Sequence, residues 1–182
     1  MRVGHHLTGV AAGTFIAGLI HAADPSFSAI ALMAIAIASW FGGVAPDRLE
    51  YLPLVRVPWV PHRTLTHWGL LWVVGLIWTG IVVVRTGGLL PVALMGFAFG
   101  GLIHLLFDWP NPTGVPWFWP TAAARHSLYW WRSGEHDAVL SIVAIAVASV
   151  PWILLNARPA VIEASPHVLA FWRPYLNWFY HA

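Results

Sequence analysis

The chain has 182 residues, 59% of them apolar and only 9% charged, with a formal charge of +2. Soluble domains carry about 25% charged residues, so an ordinary cytosolic protein is excluded. The nine cations are all Arg and are scattered, which removes a nucleic-acid-binding surface, and the absence of cysteine removes disulfides, iron–sulfur clusters and thiolate zinc sites.

A membrane-crossing helix needs about 20 mostly apolar residues, within a range of about 17–25. Five stretches qualify in chain order: Leu7–Ala23, Phe27–Val44, Trp68–Val84, Gly87–Phe107 and Ala138–Leu155. None holds Asp, Glu, Lys or Arg, and their only ionisable residues are His21 and His104. Small residues recur in them (Gly9, Gly13, Ala17 and Gly18; Gly96, Gly100 and Gly101), as close helix packing in lipid requires. A soluble core of such helices would lack polar residues to cover it. The first stretch is not read as a signal peptide: it exceeds the usual core of about 7–15 residues, and His21 spoils a small-residue cleavage site. The expected fold is an all-α integral membrane protein with about five transmembrane helices. It forms a single polytopic domain over residues 1–182, and residues 159–182 form an aromatic interfacial tail.

The connecting segments alternate between two faces. Arg2, Arg48, Arg56, Arg63, Arg125 and Arg132 fall on the face of the N-terminus; Arg85, Arg158 and Arg173 fall on the other. That excess places the N-terminal face in the cytoplasm by the positive-inside rule. Trp59, Trp109, Trp117, Trp119, Trp130 and Trp131 lie on the same face, where interfacial aromatics belong.

The ten histidines are unevenly placed. His5 and His6 start the first span, Asp47 follows the second, His62 and His67 precede the third, and His104 and Asp108 close the fourth. All are at the cytoplasmic ends of four spans, which a packed bundle can bring to one point. His104 and Asp108, at i and i+4, share a helix face and can chelate one ion. His62 and His67 are five apart, about 140° on an ideal helix, so a loop and a helix start suit them better, with Thr64 or Thr66 as N-cap. Each His alone reads as an interfacial residue bonded to a backbone carbonyl; their one-sided convergence reads as a metal site. His5, Asp47, His62, His67, His104 and Asp108 are the ligand candidates, with His6 as substitute for His5 or as its support. Imidazoles and carboxylates without sulfur suit Zn first, with Mn or Fe as alternatives. Six ligands exceed the needs of one catalytic Zn and suffice for two ions. By contrast, His21 and Asp24, in Gly18-Leu-Ile-His-Ala-Ala-Asp24, resemble His104 and Asp108 locally but fall at the opposite ends of the spans and read as packing and turn residues.

These residues also carry a resemblance. Gly4-His5, Ala45-Pro46-Asp47, His62-Arg-Thr-Leu-Thr-His67 and Gly101-Leu-Ile-His104 through Asp108 to Pro112-Thr-Gly-Val-Pro-Trp-Phe-Trp-Pro120 are similar, in order and spacing, to the YdjM-like inner-membrane metal-dependent hydrolases. The blocks cover about the first two-thirds of the chain. The resemblance implies a helical fold in a bacterial or archaeal inner (plasma) membrane and a metal-dependent hydrolase, by remote similarity to zinc phospholipase C and P1-type nucleases. The family pattern Pro-Asp-Ile-Asp-His reads here as Pro46-Asp47-Arg48-Leu49-Glu50, so Leu49 replaces an Asp and only Glu50, one place later, can compensate. For a Glu that the family carries near the start of the last span, this chain offers both Glu135 and Asp137.

The expected function is a metal-dependent hydrolase acting on a lipid or phosphoester-type substrate at the cytoplasmic interface, with membrane lipids as neighbours. Glu50, Glu135 and His126 are its acid or base candidates, and Arg63 and Arg125 its anion-binding candidates. The Pro- and Trp-rich segment Trp109–Pro120 would form a rim or lid. The alternative is a non-catalytic subunit of a membrane complex or homo-oligomer, with a structural metal. A transporter would need midplane charges and broken helices, which the sequence does not offer.

Overall fold

The computed structural model describes residues 2–51, 60–132 and 134–164, with side chains described only between 4 and 157. Six α-helices form among the described residues: α1 (Arg2–Ala23), α2 (Ala29–Gly42), α3 (Ala45–Arg48), α4 (Gly69–Thr86), α5 (Leu89–Asp108) and α6 (Asp137–Ala164). Short 3-10 turns cover Leu65–His67 and Ala122–Ala124. Among the described residues, extended pairing is limited to one isolated bridge between Val115 and His126.

Four of the described helices, α1, α4, α5 and α6, are long and apolar enough to cross a membrane. The expected second span is shorter than the sequence suggested. Ser28 accepts the Ala31 N–H at 3.2 Å and caps α2 there, and the helix stops at Gly42, before α3 with Pro46 in its first turn. Its 14 residues make a helix of about 21 Å, less than the roughly 30 Å hydrocarbon core. At the other end of the chain, α6 runs on past the expected Leu155 to Ala164. Residues 165–182, which hold most of the expected aromatic tail, lie outside the described residues, as do Arg56 and Trp59.

Helix α5 lies at the centre, packed against α1, α2 and α4, and α6 packs on α1. In lipid this association depends on close backbone approach, because lipid tails are as apolar as the side chains. The small residues supply it. A Cβ on Gly100 would stand 2.0 Å from the Ser39 carbonyl oxygen, and one on Gly96 would stand 2.5 Å from that of Ile35. Ser39 also donates its hydroxyl to Gly9 O at 2.8 Å, tying α2 to α1. Gly101 makes room for the Trp72 ring, which locks α4 to α5 and donates its indole N–H to Thr66 O at 2.8 Å. The outer faces of α4 and α6 keep exposed apolar side chains, among them Val74, Ile77, Trp78, Ile142 and Ile153, as lipid contact demands.

Candidate metal centre

The close approach of α2 and α5 places the Gly43 carbonyl, just past α2, 2.8 Å from His104 Nδ1. With Nδ1–H donating there, His104 turns Nε2 into the gap between the helix ends. Four side chains meet in that gap: Asp47 from α3, His67 from the 3-10 turn, and His104 and Asp108 from one face of α5. One ligand atom from each lies within 4.8 Å of all the others. His104 Nε2 is 3.3 Å from His67 Nε2, 3.4 Å from Asp108 Oδ2 and 3.7 Å from Asp47 Oδ1. Asp47 Oδ1 and Asp108 Oδ2 are buried and have no hydrogen-bond partner. Buried carboxylate oxygens are costly unless paired, so two of them facing two imidazole nitrogens form a donor set that a cation satisfies.

A second group, Glu50, His62 and His67, adjoins the first and shares His67. Glu50 is buried and acts as its hub. Oε1 accepts the Arg63 N–H at 2.9 Å and the Thr66 hydroxyl at 3.2 Å, and lies 3.0 Å from His67 Nδ1. Oε2 lies 2.6 Å from His62 Nδ1. Burial opposes the charge on Glu50, but the hydrogen bonds from His62, His67 and Arg63 outweigh it and hold its pKa down to about 2. The residue that stands one place after Leu49 thus organises the whole His62–His67 turn. Neither Thr64 nor Thr66 caps α4: Thr64 donates back to Pro61 O at 2.6 Å, and Thr66 is committed to Glu50.

Arg63 is 1% exposed and takes a left-handed backbone conformation, with φ of 55°. That conformation, unfavourable for a residue with a Cβ, lets the Arg63 amide reach Glu50 while its guanidinium reaches the other way. Nη2 pairs with Asp108 Oδ1 at 2.7 Å, and Nη1 donates to Gly114 O at 3.2 Å and to the Thr113 hydroxyl. Arg125 in turn clasps the turn from outside, its Nε–H donating to Arg63 O at 3.1 Å and its Nη2–H to His62 O. Arg63 and Arg125 are therefore parts of the site.

Two groups outside the spans have displaced titrations in the first cluster. Burial pushes the Asp47 carboxyl up, but His67, whose Nε2 lies 3.4 Å from Oδ1, and the nearby His104 hold it below the usual range. Burial alone would lower His67, yet Asp108, Asp47 and Glu50 together raise it to about 10. The carboxylates around it thus favour the protonated form of His67.

His5 is buried and stacked on the His104 ring at 4.0 Å between centroids, with Nε2 3.7 Å from Asp108 Oδ1; it borders the four-atom group without joining it. His6 turns to Trp40, whose indole donates to it. His62 is exposed at the rim. Glu135 is exposed and accepts the Arg132 N–H at 2.9 Å, and His126 lines an apolar groove; both lie outside the two ligand groups. Asp137 is the acid that reaches the site. It packs against Gly4 and lines, with His5 and Asp108, a cavity of about 20 Å³, enough for a water molecule. The close Gly4–Asp137 contact has no local signature in sequence, because it joins the first and last helices.

The sequence profile of the YdjM inner membrane protein family matches residues 1–177, so the chain belongs to that family. No curated protein and no solved structure gives a match.

Proposed function

Starting from a multi-pass member of an inner-membrane family, we propose a metal-dependent hydrolase that acts on a lipid or phosphoester-type substrate at the cytoplasmic membrane interface, with the N-terminus cytoplasmic. The observation that carries this reading is the pair of unpartnered buried oxygens, Asp47 Oδ1 and Asp108 Oδ2, facing His67 Nε2 and His104 Nε2. A divalent ion held by these four residues, Zn, Mn or Fe by donor type, supplies Lewis acidity and a water of lowered pKa.

The protein's own residues do the rest. Gly43 O fixes the His104 tautomer and Glu50 fixes that of His67, the outer support that orients imidazole ligands. Arg63 neutralises Asp108 Oδ1 and leaves Oδ2 for the ion. Asp47 is 31% exposed, the most open of the four, so a substrate would approach the cluster from its side. His62, exposed and bonded through Nδ1 to Glu50, is placed to take or release a proton at Nε2 on the rim, with Glu50 acting through it. A second ion in the Glu50–His62–His67 group would have to break the hydrogen bonds that hold His67, so one ion suits the geometry better than two.

A structural metal in a non-catalytic membrane subunit is the second reading. It is favoured by the near-complete burial of His67, His104 and Asp108, since structural sites are closed. Elemental analysis and hydrolysis assays on protein in lipid vesicles separate the two. The hydrolase reading expects about one equivalent of metal and turnover of a phospholipid or a chromogenic phosphodiester. That turnover stops on metal removal and returns with Zn, Mn or Fe. Bound metal with no turnover of any such ester leaves the structural reading; no metal at all overturns both.

A further inference from the structure

Beside the cluster lies a groove of about 500 Å³, lined by Leu70, Val73, Trp109, Trp117, Phe118 and His126. It is built from the segments that carry the ligands. Leu70 is three residues after His67, Trp109 directly follows Asp108, and His126 directly follows Arg125. The walls are fastened in place: Gly69 N–H donates to Pro116 O at 3.0 Å, Leu70 N–H to Trp117 O at 2.9 Å, and the Trp68 indole to Phe118 O at 2.9 Å. Trp109 and Trp117 meet edge to face at 5.3 Å. The volume falls within the range of small-molecule sites.

Three features identify the occupant. The lining offers no ionisable group except His126, so a polar solute has little to bond to. One wall, Leu70 and Val73, belongs to the first turns of α4, and it is continuous with the exposed apolar face that α4 turns to lipid through Val74, Ile77 and Trp78. Leu70 and Phe118, 43% and 68% exposed, stand at its edges, so the groove is open rather than part of a core. We propose that it seats an acyl chain of a membrane phospholipid, entering sideways from the bilayer, which holds the lipid's ester and phosphate groups at the level of Asp47, His67 and Asp108. The seating stands on the groove alone; that the seated lipid is the substrate rests on the hydrolytic reading above.

The test uses the full chain in vesicles of phosphatidylethanolamine and phosphatidylglycerol, doped with a phosphatidylglycerol that carries a photoreactive diazirine in its acyl chain. Labelled peptides are mapped by mass spectrometry. Label is expected to concentrate on residues 70–73 and 117–118. Val73→Trp, which fills the groove, is expected to lower it about tenfold, whereas Val74→Trp on the lipid-facing surface leaves it unchanged. Phe118→Ala, on the exposed rim, is the second variant and lowers the same labelling about threefold. Even labelling along the outer faces of α4 and α6, or equal labelling in all variants, overturns the proposal. So does protection of the groove by a co-purifying protein or a second copy of the chain. Groove labelling in protein that holds metal yet turns over no lipid or phosphoester refutes only the hydrolytic reading; metal-dependent turnover without groove labelling refutes only this one.

Discussion

Gly18-Leu-Ile-His21 and Gly101-Leu-Ile-His104 read alike, and each is followed within four residues by an Asp, yet they end in different surroundings. His104 is buried with one ring nitrogen on Gly43 O and the other facing His67, and Asp108 is buried against Arg63. His21 stacks on Trp152 and its Nδ1 has no partner, while Asp24 is exposed and merely accepts the Ser26 N–H at 2.9 Å in a turn. The local pattern is nearly the same; the difference is what the other helices bring to that end of the bundle. At the His104 end, α3 and the His62–His67 turn add a carboxylate, two imidazoles and a supporting Glu. At the His21 end, α2 and α6 present apolar and aromatic surface.

Substitutions can break that contrast, and the largest effect is expected at Asp108. Asp108→Ala removes a ligand and strands the buried Arg63, a loss of about 3–5 kcal/mol in stability together with the bound metal. Asp24→Ala is expected to stay within about 1 kcal/mol and to keep the metal. Thermal unfolding and elemental analysis of both proteins measure the pair; equal losses would erase the distinction between the two ends.

The next largest effect concerns how the donor end is assembled. Gly100→Ala places a Cβ against the Ser39 carbonyl and forces α2 from α5, at about 1–3 kcal/mol. Because the same contact sets Gly43 against His104, metal affinity is expected to fall with stability. Gly80→Ala, in open space on α4, gains the helix preference of Ala, about 0.5–1 kcal/mol, and leaves the metal untouched. Metal retention in Gly100→Ala at full affinity would show that the α2–α5 approach does not position the site.

Support from the neighbouring group is expected to be worth less. Glu50→Gln keeps the shape of the side chain but removes the carboxylate that orients His67 and His62, and metal affinity is expected to fall about 10–100-fold, read by competition with a chelating dye.

The smallest effect is a pH profile. Glu50 is depressed to about 2, so its stabilisation is complete above its unfolded value of about 4.3 and is lost as pH falls toward 2. His67 is raised to about 10, so its stabilisation is complete below about 6.5 and is lost as pH climbs toward 10. Metal-free protein is therefore expected to be most stable between roughly pH 4.5 and 6.5. Bound metal replaces the proton on His67 and should remove the alkaline decline. Melting temperatures across pH, with and without metal, check both limbs; an alkaline decline unchanged by metal would mean that His67 is not a ligand.

Much of this was legible in the residues themselves. Hydropathy and length marked α1, α4, α5 and α6, because a lipid-facing helix must be apolar along its whole length. The i,i+4 pair of His104 and Asp108 is a local property of one helix, and the side of the bundle on which His67 and Asp47 fall follows from counting spans. The short α2 was hidden because its flanks, Phe27 and Gly43-Val44, are as apolar as its middle, while Ser28 and Pro46 set its ends. In sequence Arg63 is a topology charge and an anion-binding candidate, since nothing near it reveals the left-handed turn that buries it against Asp108. Glu50 is a candidate base in sequence, but its four hydrogen bonds come from residues 12 to 17 positions away.

By itself the sequence determined the solvent, the helical class and the face on which the donors gather, because hydropathy and helical period act over neighbouring residues. Only the tertiary structure decided which donors share a point and which hold them there. Asp47, His67, His104 and Asp108 meet, with Glu50 and Arg63 behind them, because glycine contacts bring helix backbones within van der Waals range at that end. A shift of an ångström or two there, invisible in any single segment, would separate ligands into ordinary polar residues at helix ends.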